Sequence, residues 1–230
     1  MQRIVRQLLV PMLLTCLLLP HSQADARPKP EQGLRVSITI FDYANLSTGT
    51  LVHAKRVATN ILGQTGIQTA WVDCRAVTKA ALSVVTCDRS SETAISDANI
   101  LLVNRFPAEA KITGANTLGF AILPEECGLA DQAYVSLLNV SKFVNDQDAP
   151  LDLVLGLVIA HEIIHILLGQ NEHAPTGLMR AYWDKADLLL AQSGELGLTG
   201  EQAKLLRAAV LARSKFARAP ALGAANKDQE

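Results

Sequence analysis

LDLVLGLVIAHEIIHILLG, residues 151–169, decides how the rest of the chain is read. Pro150 precedes it, and proline is tolerated in a first helical turn. Asp148 and Asp152 put negative charge near the start, where it complements the helix dipole. Gly169 follows the last apolar residue as a C-cap. These signals predict a helix over about 150–168, apolar nearly all round and so built for a core. Its polar exceptions are instructive. His161 and His165 are four residues apart, about 40° round a helix, so both imidazoles leave one face. Glu162 lies one step further round. Burying two imidazoles and a carboxyl in such a helix costs free energy unless they have a task. The bland alternative is a pair of hydrogen-bonded core histidines. The chemical reading is that two imidazole nitrogens hold one Zn²⁺ while Glu162 takes a proton from water beside it.

Four histidines lie beyond the first 26 residues, and three of them fall between 161 and 173. After Gly169 the chain can turn back under the helix. His173 would then complete a three-imidazole site with one position open. Glu172 competes for the same role, since two imidazoles and a carboxylate also hold zinc. Neutral imidazole suits the ion and favours His173. His53 lies far away in sequence and reads as an ordinary surface or core residue.

Outward from the helix, the chain alternates strand and helix signals. Leu34 to Phe41 alternates apolar and polar residues at strand period. Ser47 or Thr48 caps a helix over about 49–63. Ile67 to Val72 reads as a second strand, and 75–95 as irregular or weakly helical. Ala98 to Val103 is a continuous apolar run, the mark of a buried parallel strand. Thr117 to Leu123 and Ala133 to Val140 read as two further strands. Helices follow near 184–192 and 200–214, the second with Thr199 and Gln202 at capping-box spacing. The expected fold is α+β: a mixed, twisted five-stranded sheet, the long helix behind it, and C-terminal helices.

With 230 residues, 49% hydrophobic and 19% charged, the chain has material for one sizeable core and is not disordered. A net charge of -1 and 4% aromatics argue against nucleic-acid binding. Arg3 and Arg6, the apolar run Leu8 to Leu19 and a small-residue site ending at Ala24 or Ala26 read as a secretory signal peptide. The expected organisation is therefore a signal over 1–26, a short linker over 27–33, one domain over 34–214 and a flexible tail over 215–230. The product would be secreted or periplasmic, with no membrane span after cleavage. Cys74, Cys87 and Cys127 then remain. Cys74–Cys87 is the preferred bridge because it is the most local, with three buried thiols as the alternative. The C-terminal stretch carries Lys204, Arg207, Arg213, Lys215 and Arg218 without an acid from Gln202 to Asn226. This reads as a solvated helix face or a site for an anionic surface.

His161-Glu162-x-x-His165, a glycine turn, a further histidine and then Gly177-Leu178-Met179 resemble the metzincin clan of zinc metallopeptidases. The likeness is matrixin-like, and closer still to small exported bacterial zincin-like proteins. The resemblance implies His161, His165 and His173 as ligands of one catalytic zinc and Glu162 as the general base. It also implies Met179 as the Met-turn residue beneath the metal, and a fourth strand running antiparallel along the cleft edge. The chain departs from the clan's usual H-E-x-x-H-x-x-G-x-x-H spacing. Leu168 holds the glycine position, Gly169 comes one residue late, and His173 comes two late. Tyr182 is expected to pack beside Trp183. The expected activity is an exported zinc endopeptidase acting on peptides or proteins. The alternatives are a secreted zinc-binding protein without hydrolysis, or a zinc amidase acting on a non-peptide envelope substrate.

Overall fold

The computed structural model describes residues 33–79, 82–88, 97–110, 114, 116–124 and 131–218. The stretch 1–26 expected as a signal, all of the expected linker but Gly33, the expected tail beyond Arg218, and Cys127 lie outside them. Six strands form one sheet: β1 Leu34–Asp42, β2 Ile67–Lys79, β3 Leu82–Asp88, β4 Ala98–Val103, β5 Gly119–Ile122 and β6 Gln132–Ser136. Their order across the sheet is β3-β2-β1-β4-β6-β5. β2, β1, β4 and β6 run parallel, while the two edge strands, β3 and β5, run antiparallel to their neighbours. Five α-helices complete the fold: α1 Thr48–Gln64, α2 Leu137–Gln147, α3 Leu151–Leu168, α4 Lys185–Gln192 and α5 Gly200–Arg218.

The mixed sheet with its central apolar helix is as expected, but two segments differ. The 75–95 region is not irregular throughout. β2 continues to Lys79 and returns as β3, giving a sixth strand. Cys74 faces Cys87 in that hairpin and is bonded to it. The strand expected over 133–140 stops at Ser136, whose side chain accepts from the Asn139 N–H and so starts α2. A strand cannot continue through a residue committed to capping a helix.

Local signals account for the other elements. Val36, Ile38 and Ile40 are buried along one face of β1. The Ser47 side chain caps α1 by accepting from the Thr50 N–H at 3.1 Å. The Asp184 carboxylate accepts from the Ala186 and Asp187 amides in a full capping box at α4. Thr199 and Gln202 exchange side-chain-to-backbone bonds at the start of α5. α5 runs to Arg218, four residues past the expected end.

α3 is long and apolar enough to cross a membrane by length and composition, yet most of it is buried within the fold. It packs against α1, α2, α5 and strands β4, β5 and β6. Gly169, with φ +68°, ends it in the left-handed conformation. Two of the basic residues in α5 are occupied by backbone. The Arg213 guanidinium donates to the carbonyls of Ile166 and Leu167, which the helix end leaves without partners. Arg207 donates to the Thr65 carbonyl at 2.9 Å. Lys204, Arg207 and Lys215 are nonetheless exposed, in keeping with a largely solvated helix face.

Gly156 sets how closely α1 and α3 cross. A Cβ there would lie 2.5 Å from Val57 Cβ and 2.7 Å from the Ala54 carbonyl oxygen. Overpacking of this kind costs about 1–3 kcal/mol. The gain of alanine over glycine in a helix, about 1 kcal/mol, offsets part of that. Thermal unfolding should therefore show Gly156→Ala less stable than the parent. An equal or higher Tm would mean that the helices separate without cost.

Candidate metal centre

α3 carries three of the candidate residues into the interior. His161, Glu162 and His165 are only 7%, 3% and 3% exposed. Helical spacing brings the two imidazoles together, with ring centroids 4.6 Å apart and Nε2 atoms 2.9 Å apart. After Gly169 the chain reverses and delivers His173. Its ring centroid lies 5.3 Å from that of His161 and 5.0 Å from that of His165. One nitrogen from each of the three rings falls within 4.8 Å of the others. His173, unlike the other two, faces solvent.

The backbone around the helix fixes which nitrogens converge. The Leu178 carbonyl lies 3.0 Å from His161 Nδ1, and the Gln170 carbonyl lies 2.7 Å from His165 Nδ1. A carbonyl can only accept, so each Nδ1 carries the proton and donates it. Burial pushes the His161 pKa down to about 3, helped by His165 and His173 and opposed by the Leu178 bond. Burial also lowers His165 and His173. The rings are therefore neutral, and two bare Nε2 lone pairs face each other at short range. Lone pairs so arranged repel unless a cation lies between them. Imidazoles donating outward to carbonyls while their other nitrogens converge is the usual outer arrangement of a metal site.

The loop that supplies these carbonyls is held in turn. The Ala174 N–H donates to the Met179 carbonyl at 2.7 Å, and the Leu178 N–H donates to the Gly197 carbonyl at 2.9 Å. Gly177, with φ +76°, sits where a Cβ would lie 2.7 Å from the Gly197 oxygen. Trp183 Nε1 donates to the Leu178 carbonyl that also receives His161, and its ring stands edge-on to that imidazole. The sequence did not single out Trp183 for this role, because it acts through a carbonyl.

Glu162 is the other unusual group. Burial pushes its pKa up to about 8. Its Oε2 is the only buried side-chain polar atom among the described residues that has no hydrogen-bond partner. Glu162 and the three histidines line a cavity of about 490 Å³, with Phe120, Phe143, Val158 and Tyr182 among its walls. The antiparallel strand along this cavity is β5, fifth in the chain because the β2–β3 hairpin adds a strand.

Glu172 is exposed and is not part of the histidine group. Met179 is buried in the core but is not among the residues lining the cavity. Tyr182 does not pack into the interior beside Trp183. It is 54% exposed and meets Phe143 edge-on at 6.1 Å. His53 stands apart on the surface, 3.1 Å from Asp152. Gly119 was not foreseen. A glycine inside a short strand signals a close approach of backbone, and that signal was there to be read.

No protein-family model and no curated protein matches the sequence. Among solved structures, the chain is similar to archaemetzincin from Methanopyrus kandleri. The two are 13% identical with a TM-score of 0.47, over 80% of this chain and 99% of that one.

The donor set fits a zinc ion. Three neutral imidazole nitrogens converge, two of them oriented by backbone carbonyls. The site opens to a cavity, and a carboxylate oxygen without a partner lies beside it.

Proposed function

We propose that the chain is a zinc-dependent metallopeptidase, with His161, His165 and His173 holding one ion and Glu162 as general base. The observation that carries this reading is the pairing of three convergent imidazole nitrogens with Glu162, a buried carboxyl on the helix of two of them whose Oε2 has no partner. A metal-binding site alone has no use for that carboxylate. Zinc bound there would polarise a carbonyl and make water nucleophilic near neutral pH.

The protein's own residues do the rest. Burial alone favours the protonated acid, but the charge of an ion held by the three imidazoles would favour the ionised form. The Glu162 carboxylate would then accept a proton from the attacking water, whose oxygen bonds to the scissile carbonyl carbon. It then delivers that proton to the amide nitrogen as the C–N bond breaks, so an acid and an amine leave. The Leu178 and Gln170 carbonyls keep each imidazole in one tautomer and orientation. Phe143, Val158 and Tyr182 offer an apolar wall to a substrate side chain and exclude water around it.

Endopeptidase action on peptides or proteins is part of the proposal, and so is export. The signal-like segment over 1–26 supports export, as does the Cys74–Cys87 bridge, since such bonds persist in oxidising compartments. The test is a complex peptide pool digested with zinc-loaded mature protein and read by mass spectrometry. The proposal expects new termini that vanish with a chelator and return with zinc. Stoichiometric zinc without any cuts would contradict it and favour a binding role or a non-peptide amide substrate.

A further inference from the structure

Gly119 lies against the Glu162 side chain from the β5 side. A Cβ added to it would sit 2.7 Å from Glu162 Oε1, 2.9 Å from Cγ and 3.0 Å from Cδ. Favourable contacts between such atoms begin near 3.5 Å. The carboxyl borders the open cavity and can be pushed into it, whereas the strand is held in place. The carboxylate is buried in the wall of the cavity. The strand is anchored from its other neighbours. The Ser136 N–H donates to the Leu118 carbonyl at 2.9 Å, and Asn139 Nδ2 donates to the Thr117 carbonyl at 2.7 Å. The Phe120 ring stacks on Tyr134 at 5.3 Å and meets Phe106 edge-on at 5.1 Å.

We infer that Gly119 is a positioning residue for Glu162: its missing side chain lets the anchored edge strand close over the carboxylate and hold it at the imidazole face. The inference rests on the reading of Glu162 as the base. A methyl group at 119 displaces the carboxylate, because the strand cannot move away. The three imidazoles are held by α3 and the loop after it, so metal binding is untouched.

Gly119→Ala tests this with measurements that a merely structural role would not move together. Chelator competition should give the parent's zinc affinity. On a cleaved peptide, kcat should fall by about 100-fold, the scale of a misplacement near 1 Å, with KM unchanged. On a Glu162→Ala background, which removes the three atoms nearest to the new Cβ, the same substitution should leave the residual rate unchanged. An equal fold-loss in both backgrounds, or a loss of zinc affinity, would overturn the inference. Thermal unfolding decides the point even if no peptide is cleaved. Gly119→Ala should lower Tm by a few degrees in the parent and leave the Glu162→Ala protein unchanged. Equal lowering in both, or failure of both to fold, would overturn it while leaving the peptidase reading to its own test.

Discussion

Replacing Glu162 by Gln is expected to leave one zinc bound per chain and to cut peptide hydrolysis by roughly 10²–10⁴-fold. Glutamine has the same shape, so it fits beneath Gly119 where the carboxylate lies. Its amide cannot take a proton from water. The buried carboxyl contributes little to stability, since one of its oxygens has no partner and burial alone has raised its pKa to about 8. The variant should therefore fold as well as the parent or better. Metal content and unfolding separate these outcomes from a damaged fold. A variant that holds zinc and still hydrolyses peptide at the parental rate would remove Glu162 from the chemistry.

Loss of one imidazole is the second large effect. His161→Ala is expected to weaken zinc binding by more than the roughly 10–100-fold that follows loss of an outer hydrogen-bond partner. His173→Ala should belong to the same class despite its exposure, because its ring nitrogen shares the cluster. Glu172→Ala should leave affinity unchanged, since that side chain is outside the group. The readout extends to stability. Zinc at about 100 times its Kd adds about 2.7 kcal/mol to a fold that binds it. The parent's Tm should rise with added zinc, and that of His161→Ala should not. If Glu172→Ala lost zinc while His173→Ala kept it, the third ligand would be wrong.

The helix and the convergence of its two histidines were legible because both are local. Apolar composition, Gly169 and the four-residue spacing of His161 and His165 are properties of one segment, and α3 follows them nearly to the residue. The orienting carbonyls were not legible. Leu178 and Gln170 act through backbone atoms whose positions depend on how the 169–179 loop folds back. The choice between His173 and Glu172 was open for the same reason, since adjacent residues in a turn point in different directions.

In the sheet, β1 and β4 announced themselves through apolar pattern. The β2–β3 hairpin did not. Asp73, Arg75, Lys79 and Asp88 make it look like loop, and its stability draws on a disulfide between residues that face each other only once the strands have paired. α2 was hidden because Ser136 both ends β6 and caps the helix, with no turn residue to mark the change. Gly119 carried a signal of close approach, but what approaches it is 43 residues further along the chain, on α3.

The claim at the centre of the account is that three imidazoles, two from α3 and one from the loop after it, converge on one ion. X-ray absorption at the zinc edge of the purified, zinc-loaded protein tests it most directly. The account predicts one zinc per chain with three imidazole nitrogens at about 2.0–2.1 Å and one further light ligand. Substoichiometric zinc, or a first shell with fewer than three imidazoles, would contradict it.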